Sequence, residues 1–459
     1  MSTVTSSVSD PAPLPAGFGG GAIRPGDAEY DIFRLVANGA IDHRPALILR
    51  PRSSADVAAA VLYARESGLP LAVRSGGHSG AGHGVTEGGV VIDLRDMKAL
   101  TIDAATHTVT AEPGLTAGDL LKPVTEKGFI LGFGDAASVG ISGITLGGGV
   151  GYLVRKHGLT IDSLLAAEIV TADGAIRTVD AEHEPELFWA IRGGGGNFGV
   201  VTRLTYRLHP LPAFTGGMLI LPATAETVSG FIAAAEAAPE ALSTIANVMP
   251  APPMPFLPEP LHGKLIIMGM LAFAGPDDAA QAALAPFRAL AEPLADMVKP
   301  RPFMQMYPPE DESMRPTTVI RTFYADGLDR ATAAEVVARL ESGDAPMRVV
   351  QLRVLGGASA RVPAGDTAYA HRDRKILGAA VAFCTGRHDM PAKQQWVTEL
   401  AQVMCGGSAP GAYVNFLSNE GEARVREAYP DSTWARLRQV KRRYDPDNLF
   451  RLNQNIPPA

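Results

Sequence analysis

ILGFGDAASVGISGITLGGGVG, residues 130–151, carries glycine at 132, 134, 140, 143, 147, 148, 149 and 151. Glycine loses more conformational freedom on folding than any other residue, so such density is wasteful unless the main chain must approach something closely. Two further runs share the composition, RSGGHS at 74–79 and GGGGNFG at 193–199. Consecutive small residues let a chain turn sharply with its N–H groups exposed, and several such nests converging on one place suit a large anionic ligand. The familiar motifs do not account for them. A GxGxxG occurs at Gly194, Gly196 and Gly199, but a helical window (185–192) precedes it, an alternating strand (200–208) follows it, and the first downstream acid is Glu226. That is not the strand–turn–helix context such a motif needs. No GxxxxGK[ST], GxSxG or HExxH is present, and His78 with His83 lacks carboxylate or thiol company, so no metal is expected. A diphosphate cofactor held outside the usual dinucleotide scheme remains.

Outward from these loops, short apolar strands alternate with capped helices. Residues 46–49 read as a strand; Ser53 or Ser54 then caps a helix that Gly68 stops. Strands are expected at 69–73, 90–94 and 108–111, with a helix capped by Thr116. Asp173-Gly174 between two β-rich runs predicts a hairpin. The texture changes at Leu208-His209-Pro210, where a domain boundary is expected. Beyond it, Ala-rich helical windows (224–238, 276–290, 330–341) alternate with strands (263–273, 347–355), which suggests a sheet with helices on one face. A basic amphipathic helix, 433–444, stopped by Asp445-Pro446, closes the chain. The expected fold class is α+β, with divisions at 26–208, 209–408 and 409–459 after a disordered stretch 1–25.

Composition removes other classes. The chain has 459 residues with 41 Lys+Arg against 48 Asp+Glu, a net charge of −7, and no basic run, so neither nucleic acid nor an anionic membrane is an expected partner. The N-terminus lacks the charged segment and apolar stretch of a secretory signal, no apolar run reaches the ~18 residues that cross a bilayer, and Cys384 and Cys405 fit neither a disulfide framework nor zinc spacing. A cytoplasmic protein is expected; its oligomeric state is left open.

RSGGHS (74–79), Gly134 through Gly151 with RKHGL (155–159), PELFWAIRGGGGNFGVVT (185–202), YVNF (413–416) and VKRRYDPDNLFR (440–451) together resemble the berberine-bridge-enzyme-like family of FAD-linked oxidases. The resemblance implies a vanillyl-alcohol-oxidase-type FAD-binding domain plus an α+β substrate domain with an antiparallel sheet. It implies FAD bonded through its 8α carbon to His78. Some members add a cysteinyl link within GxCxxVG; here Ala136 stands at the cysteine's place, so a single link is implied. Ser75, Gly76, Gly77 and Ser79 would cradle the pyrophosphate. Ser138, Gly140, Ser142, Gly143, Gly147 and Gly149 would line the ribityl and diphosphate, Val200 and Val201 the adenine side, and Asn415 would face the flavin. Arg74 would either touch the cofactor or hold its loop by an ion pair.

A flavin oxidase must remove a proton from O–H or N–H as hydride leaves carbon. The resemblance puts that role on Tyr413, with Tyr369 and His371 of AYAHR as assistants reaching the substrate cavity; Tyr324 and Tyr307 are fallbacks without a motif. Phe303, Met304, Met306, Met268, Met270, Phe273 and Phe323 are expected to be mostly core; any that line a cavity would make it apolar. The implied activity is hydride transfer from an alcohol or amine carbon of a small apolar metabolite, with O2 giving H2O2. Alternatives are a sugar oxidase or an O2-excluding dehydrogenase of the same fold, or a flavin-binding protein without turnover.

Overall fold

Strands Leu47–Arg50, Val90–Asp93 and Leu71–Arg74 pair in parallel in that order, a helix crossing from the first to the last. The computed structural model describes residues 14, 17–309, 314–406 and 411–459. The helix Ser54–Ser67 is capped by Ser53 Oγ, which accepts from the Asp56 N–H at 3.1 Å, and ends at Gly68 in the left-handed conformation (φ 67°). A five-stranded sheet stands beside this one, in the order Leu100–Asp103, Thr108–Ala111, Val200–Arg207, Leu164–Val170, Ile176–Asp180. Its last two strands are the expected hairpin, closing with Val170 opposite Ile176. One expectation is corrected. The stretch 1–25 is not all disordered, because Gly21–Ile23 pairs antiparallel with Ile48–Arg50 and Ile23 is buried among Tyr30, Val36 and Ile48. Residues 1–13, 15 and 16 lie outside the described residues.

The third sheet has eight strands, all paired antiparallel, drawn from Phe214–Pro222 through Ile376–Phe383. Helices Ala225–Ala237, Asp277–Arg288, Arg330–Ser342 and Met390–Cys405 cover one face, where Phe231, Leu284, Val336 and Leu400 pack on Leu219, Val248, Leu271, Val350 and Ala380. Side chains alternate across a strand, so Ile245, Asn247, Gln351 and Arg353 present the other face, paired as Ile245 with Arg353 and Asn247 with Gln351. Ile245 joins a core shared with the glycine-rich half of the molecule. The helix-free face therefore looks onto the loops.

The tail returns to those loops. Helix Asp431–Tyr444 begins two residues before its expected start, and it delivers Lys441. Lys441 and Asp445 are both 0% exposed and pair at 2.6 Å; the ammonium also donates to the carbonyls of Asn197 (2.7 Å) and Phe450 (2.9 Å), and the carboxylate accepts from the N–H groups of Leu449 and Phe450. Removing one member of a buried pair strands the other charge, which costs about 3–5 kcal/mol. Lys441→Met is expected to lower unfolding free energy by that order in chemical denaturation; a loss below about 1 kcal/mol, the usual worth of an exposed pair, would contradict this account of the tail.

Candidate cofactor and substrate site

The three glycine-rich loops converge on one cavity of about 370 Å³. Arg74, Ser75, Gly76, Gly77, His78 and Ser79 line it from the first loop, Gly140, Ser142 and Gly143 from the second, Gly195, Gly196, Val200 and Val201 from the third, and Tyr413 and Asn415 from the tail. The first two loops touch backbone to backbone: a Cβ at Gly76 would lie 2.3 Å from the Gly140 nitrogen, and one at Gly140 2.3 Å from that of Gly76. Only glycine permits this approach. A Cβ at Gly143 or Gly196 would meet nothing within 4 Å, so both present bare main chain to the cavity. Ser138 is off the wall, its Oγ 3.0 Å from His78 Nε2.

Gly147 and Gly149 are also off the wall. A Cβ at 147 would fall 2.0 Å from Asn415 Oδ1 and one at 149 2.0 Å from Thr160 Oγ1, and the Gly149 N–H is donated to the Tyr413 hydroxyl at 2.9 Å. Close packing, not ligand contact, requires glycine there.

Tyr413 precedes a 3-10 turn, Val414–Phe416. Its hydroxyl oxygen accepts from Gly149 N–H and from Asn415 Nδ2, the latter at 2.9 Å; Asn415 Nδ2 also donates to the Ile144 carbonyl. Burial raises the phenol's pKa, while these donors and the Arg353 charge pull it down. Tyr369 and His371 do not reach the cavity. The Tyr369 hydroxyl bonds Tyr324 at 2.8 Å, its main-chain N–H donates to the Arg192 carbonyl, and His371 Nε2 lies 3.0 Å from the Glu427 carbonyl. Both are tied into the packing behind Tyr413, whose ring meets Tyr369 edge-on at 6.1 Å. Tyr324 is buried with them, and the Tyr307 hydroxyl donates to the Gly134 carbonyl; burial drives both phenols well above their ordinary pKa.

The helix-free sheet face meets the glycine-rich half at several points, Arg353 and Ile320 among them. Arg353 pairs with Asp135 at 2.8 Å and lies over the Phe416 ring, and a Cβ at Gly80 would meet Ile320 at 3.9 Å. On this sheet Ile320, Val349, Gln351 and Val381 are half-buried, Val349 against the cluster of Met249 and Ile266. Gln351 Nε2 donates to Asn247 Oδ1 at 2.8 Å. Phe303, Met306, Phe273 and Phe323 are buried, as expected of core, and Met268, Met270 and Met304 are half-buried.

Asp135, His83, Asn197, Phe450, Leu452, Asn453 and Gln454 also line the cavity and were not foreseen. Three wall residues hold buried polar atoms without a partner, Arg74 Nε, His83 Nε2 and Asn453 Oδ1. Bare glycine backbone, unpaired buried polar groups and an apolar end formed by Leu71, Val73, Leu94 and Phe450 fit a dinucleotide flavin.

Residues 45–180 match the family described as an FAD binding domain, and residues 412–457 the one described as berberine and berberine like. The chain is 30% identical to (R)-6-hydroxynicotine oxidase of Paenarthrobacter nicotinovorans, over 97% of this chain and 98% of the relative. It is 29% identical to a xylooligosaccharide oxidase of Thermothelomyces thermophilus, over 92% and 89%. The crystal structure of 6-hydroxy-D-nicotine oxidase from Arthrobacter nicotinovorans matches with a TM-score of 0.85 at 28% identity, covering 98% of this chain and 99% of that one. Fold, cavity and relatives define an FAD-linked oxidoreductase. The chain belongs to the berberine-bridge-enzyme-like family.

Among the described residues no helix is long and apolar enough to cross a membrane.

Proposed function

We propose that the protein is an FAD-dependent oxidase that takes a hydride from an alcohol or amine carbon of a small, largely apolar metabolite. The observation that carries this reading is the Tyr413 phenol on the wall of the cofactor cavity, its oxygen accepting two hydrogen bonds. Bound FAD supplies the hydride acceptor and, with O2, an outlet for electrons as H2O2. The chain's own residues do the rest. Burial raises the phenol's pKa and the two donors offset part of that rise; Tyr413 takes the substrate's O–H proton as the carbon loses hydride. Asn415 clamps that oxygen to the Ile144 carbonyl. Backbone amides of Ser75, Gly76, Gly77 and Ser79 hold the diphosphate; Gly140, Ser142 and Gly143 follow the ribityl chain, and Val200 and Val201 the adenine side. His78, steadied by Ser138, is the single covalent attachment point.

The apolar side chains on the cavity wall, Val139, Ile144, Leu146, Val150 and Phe416, favour an apolar substrate over a sugar, which asks for hydrogen-bonding side chains at each hydroxyl. Two free thiols, Cys384 and Cys405, support a cytoplasmic setting, and the divisions at 26–208, 209–408 and 409–459 are retained as the domain scheme. The test of oxidase against dehydrogenase is rapid mixing of photoreduced protein with air-saturated buffer. The flavin absorbance is expected to return within seconds with one H2O2 per flavin; recovery only with an artificial acceptor would assign a dehydrogenase.

A further inference from the structure

We propose that Arg74 is the counter-charge for the cofactor's diphosphate, acting with His83 from the side of the glycine loop. The inference rests on the cavity being the FAD site. Arg74 is 6% exposed, and a guanidinium stays protonated in proteins. Buried charges are normally paired, yet among the described residues no carboxylate pairs with Arg74. Its NH1 donates to the Phe33 carbonyl at 2.7 Å and its Nε has no partner. The one acid that favours its charge, Asp93, already accepts Arg95 Nε and NH2 at 2.6 to 3.0 Å. Arg95 and Arg315 add like charge, and burial brings Arg74's pKa down to about 10. The alternative that Arg74 holds its loop by an ion pair therefore fails.

What the guanidinium does touch is the diphosphate loop. Gly77 has φ 74°, and a Cβ there would lie 3.0 Å from Arg74 Nε and 3.2 Å from Nη2, so the cation rests against backbone that lines the cavity. His83 lies on the same side: a Cβ at its neighbour Gly84 would be 3.6 Å from both Arg74 Cγ and Gly77 Cα. The His83 ring lines the cavity with its Nε2 buried and unpaired. Burial pushes its pKa to about 4, so at neutral pH it offers one N–H without adding charge. An uncompensated cation and a spare donor behind a glycine nest suit an anion that arrives with its own negative charge, and only the diphosphate of FAD has it.

Such an arrangement destabilises the protein before the cofactor binds and stabilises it afterwards, which separates it from a purely structural role. The test uses the His78→Ala protein, in which flavin binds reversibly. There Arg74→Met is expected to weaken FAD by about 10–100-fold, the usual worth of hydrogen bonds to charged groups, and to leave riboflavin, which has no phosphate, within about threefold. Arg74→Lys should restore most of the FAD affinity. Flavin-free Arg74→Met should melt at or above its parent, and the FAD-bound form below it. His83→Phe should weaken FAD alone, by about tenfold; unchanged FAD binding would remove His83 from the proposal. Unchanged FAD affinity in Arg74→Met, an equal loss for FAD and riboflavin, or a lower melting temperature of the flavin-free variant would overturn the counter-charge.

Discussion

Tyr413→Phe is expected to keep fold and flavin while slowing flavin reduction by about 10²–10⁴-fold, the range a positioned general base contributes. The substitution deletes one hydroxyl. The ring keeps its edge-on contacts with Phe416 at 5.0 Å and Tyr369 at 6.1 Å, so packing is preserved. The Gly149 N–H loses its acceptor, while Asn415 Nδ2 keeps the Ile144 carbonyl. Burial holds the wild-type phenol's pKa above its ordinary value, so the ionised base becomes more populated as pH rises. The reduction rate should therefore climb toward alkaline pH in the wild type and lose that dependence in the variant. Stopped-flow absorbance at the flavin band measures both. A change of only a few-fold would move proton removal away from Tyr413, and an amine substrate bound neutral, whose nitrogen lone pair can support hydride loss, would then become the favoured class. Tyr369 and His371 would not inherit the role, because both are bonded into the packing behind the cavity.

His78→Ala has the other large effect, an all-or-none change in flavin retention. Wild-type protein should keep its yellow colour through acid precipitation, and the variant should release free FAD. His78 stands on the cavity wall beside the glycine nest, whereas Cys405 is buried under the helices of the third sheet with its thiol pushed up to about 11 and Cys384 packs against the same core. Ala136 lines the cavity and offers no sulfur. Peptide mapping of wild-type protein should find one flavin-bearing fragment, containing His78. A fragment containing either cysteine, or flavin still covalent in His78→Ala, would refute the attachment assignment.

The parts legible in the sequence are those where one residue type has one physical use. Glycine runs at 74–79, 130–151 and 193–199 marked the cavity because bare backbone has few other purposes, and Ser53, Thr116, Gly68 and Asp173-Gly174 marked helix ends and a hairpin through local hydrogen bonding and φ alone. The middle was harder. Strand Ile376–Phe383, ILGAAVAF, is apolar on both faces because helices cover one and the glycine-rich half the other, so it shows no alternation to read. Gly147 and Gly149 look like their neighbours in sequence but answer to Asn415 and Thr160, contacts that no local pattern encodes. Arg74 reads in the sequence as either loop brace or ligand contact, and only the fold shows that among the described residues no carboxylate pairs with it. His83, Asp135 and the segment Leu452–Gln454 reached the wall through chain reversals, and only the last left a hint, the run of side-chain amides after Asp445-Pro446.

The most direct test of the oxidase account is anaerobic mixing of purified protein with a panel of alcohols, amines and sugars, followed at the flavin band and then opened to air. The account predicts that at least one small apolar alcohol or amine bleaches the flavin completely, that xylobiose does not, and that air restores the colour with one H2O2 per flavin. No bleaching by any compound, in protein whose flavin is reduced normally by dithionite, would contradict it and leave a flavoprotein that binds without turnover.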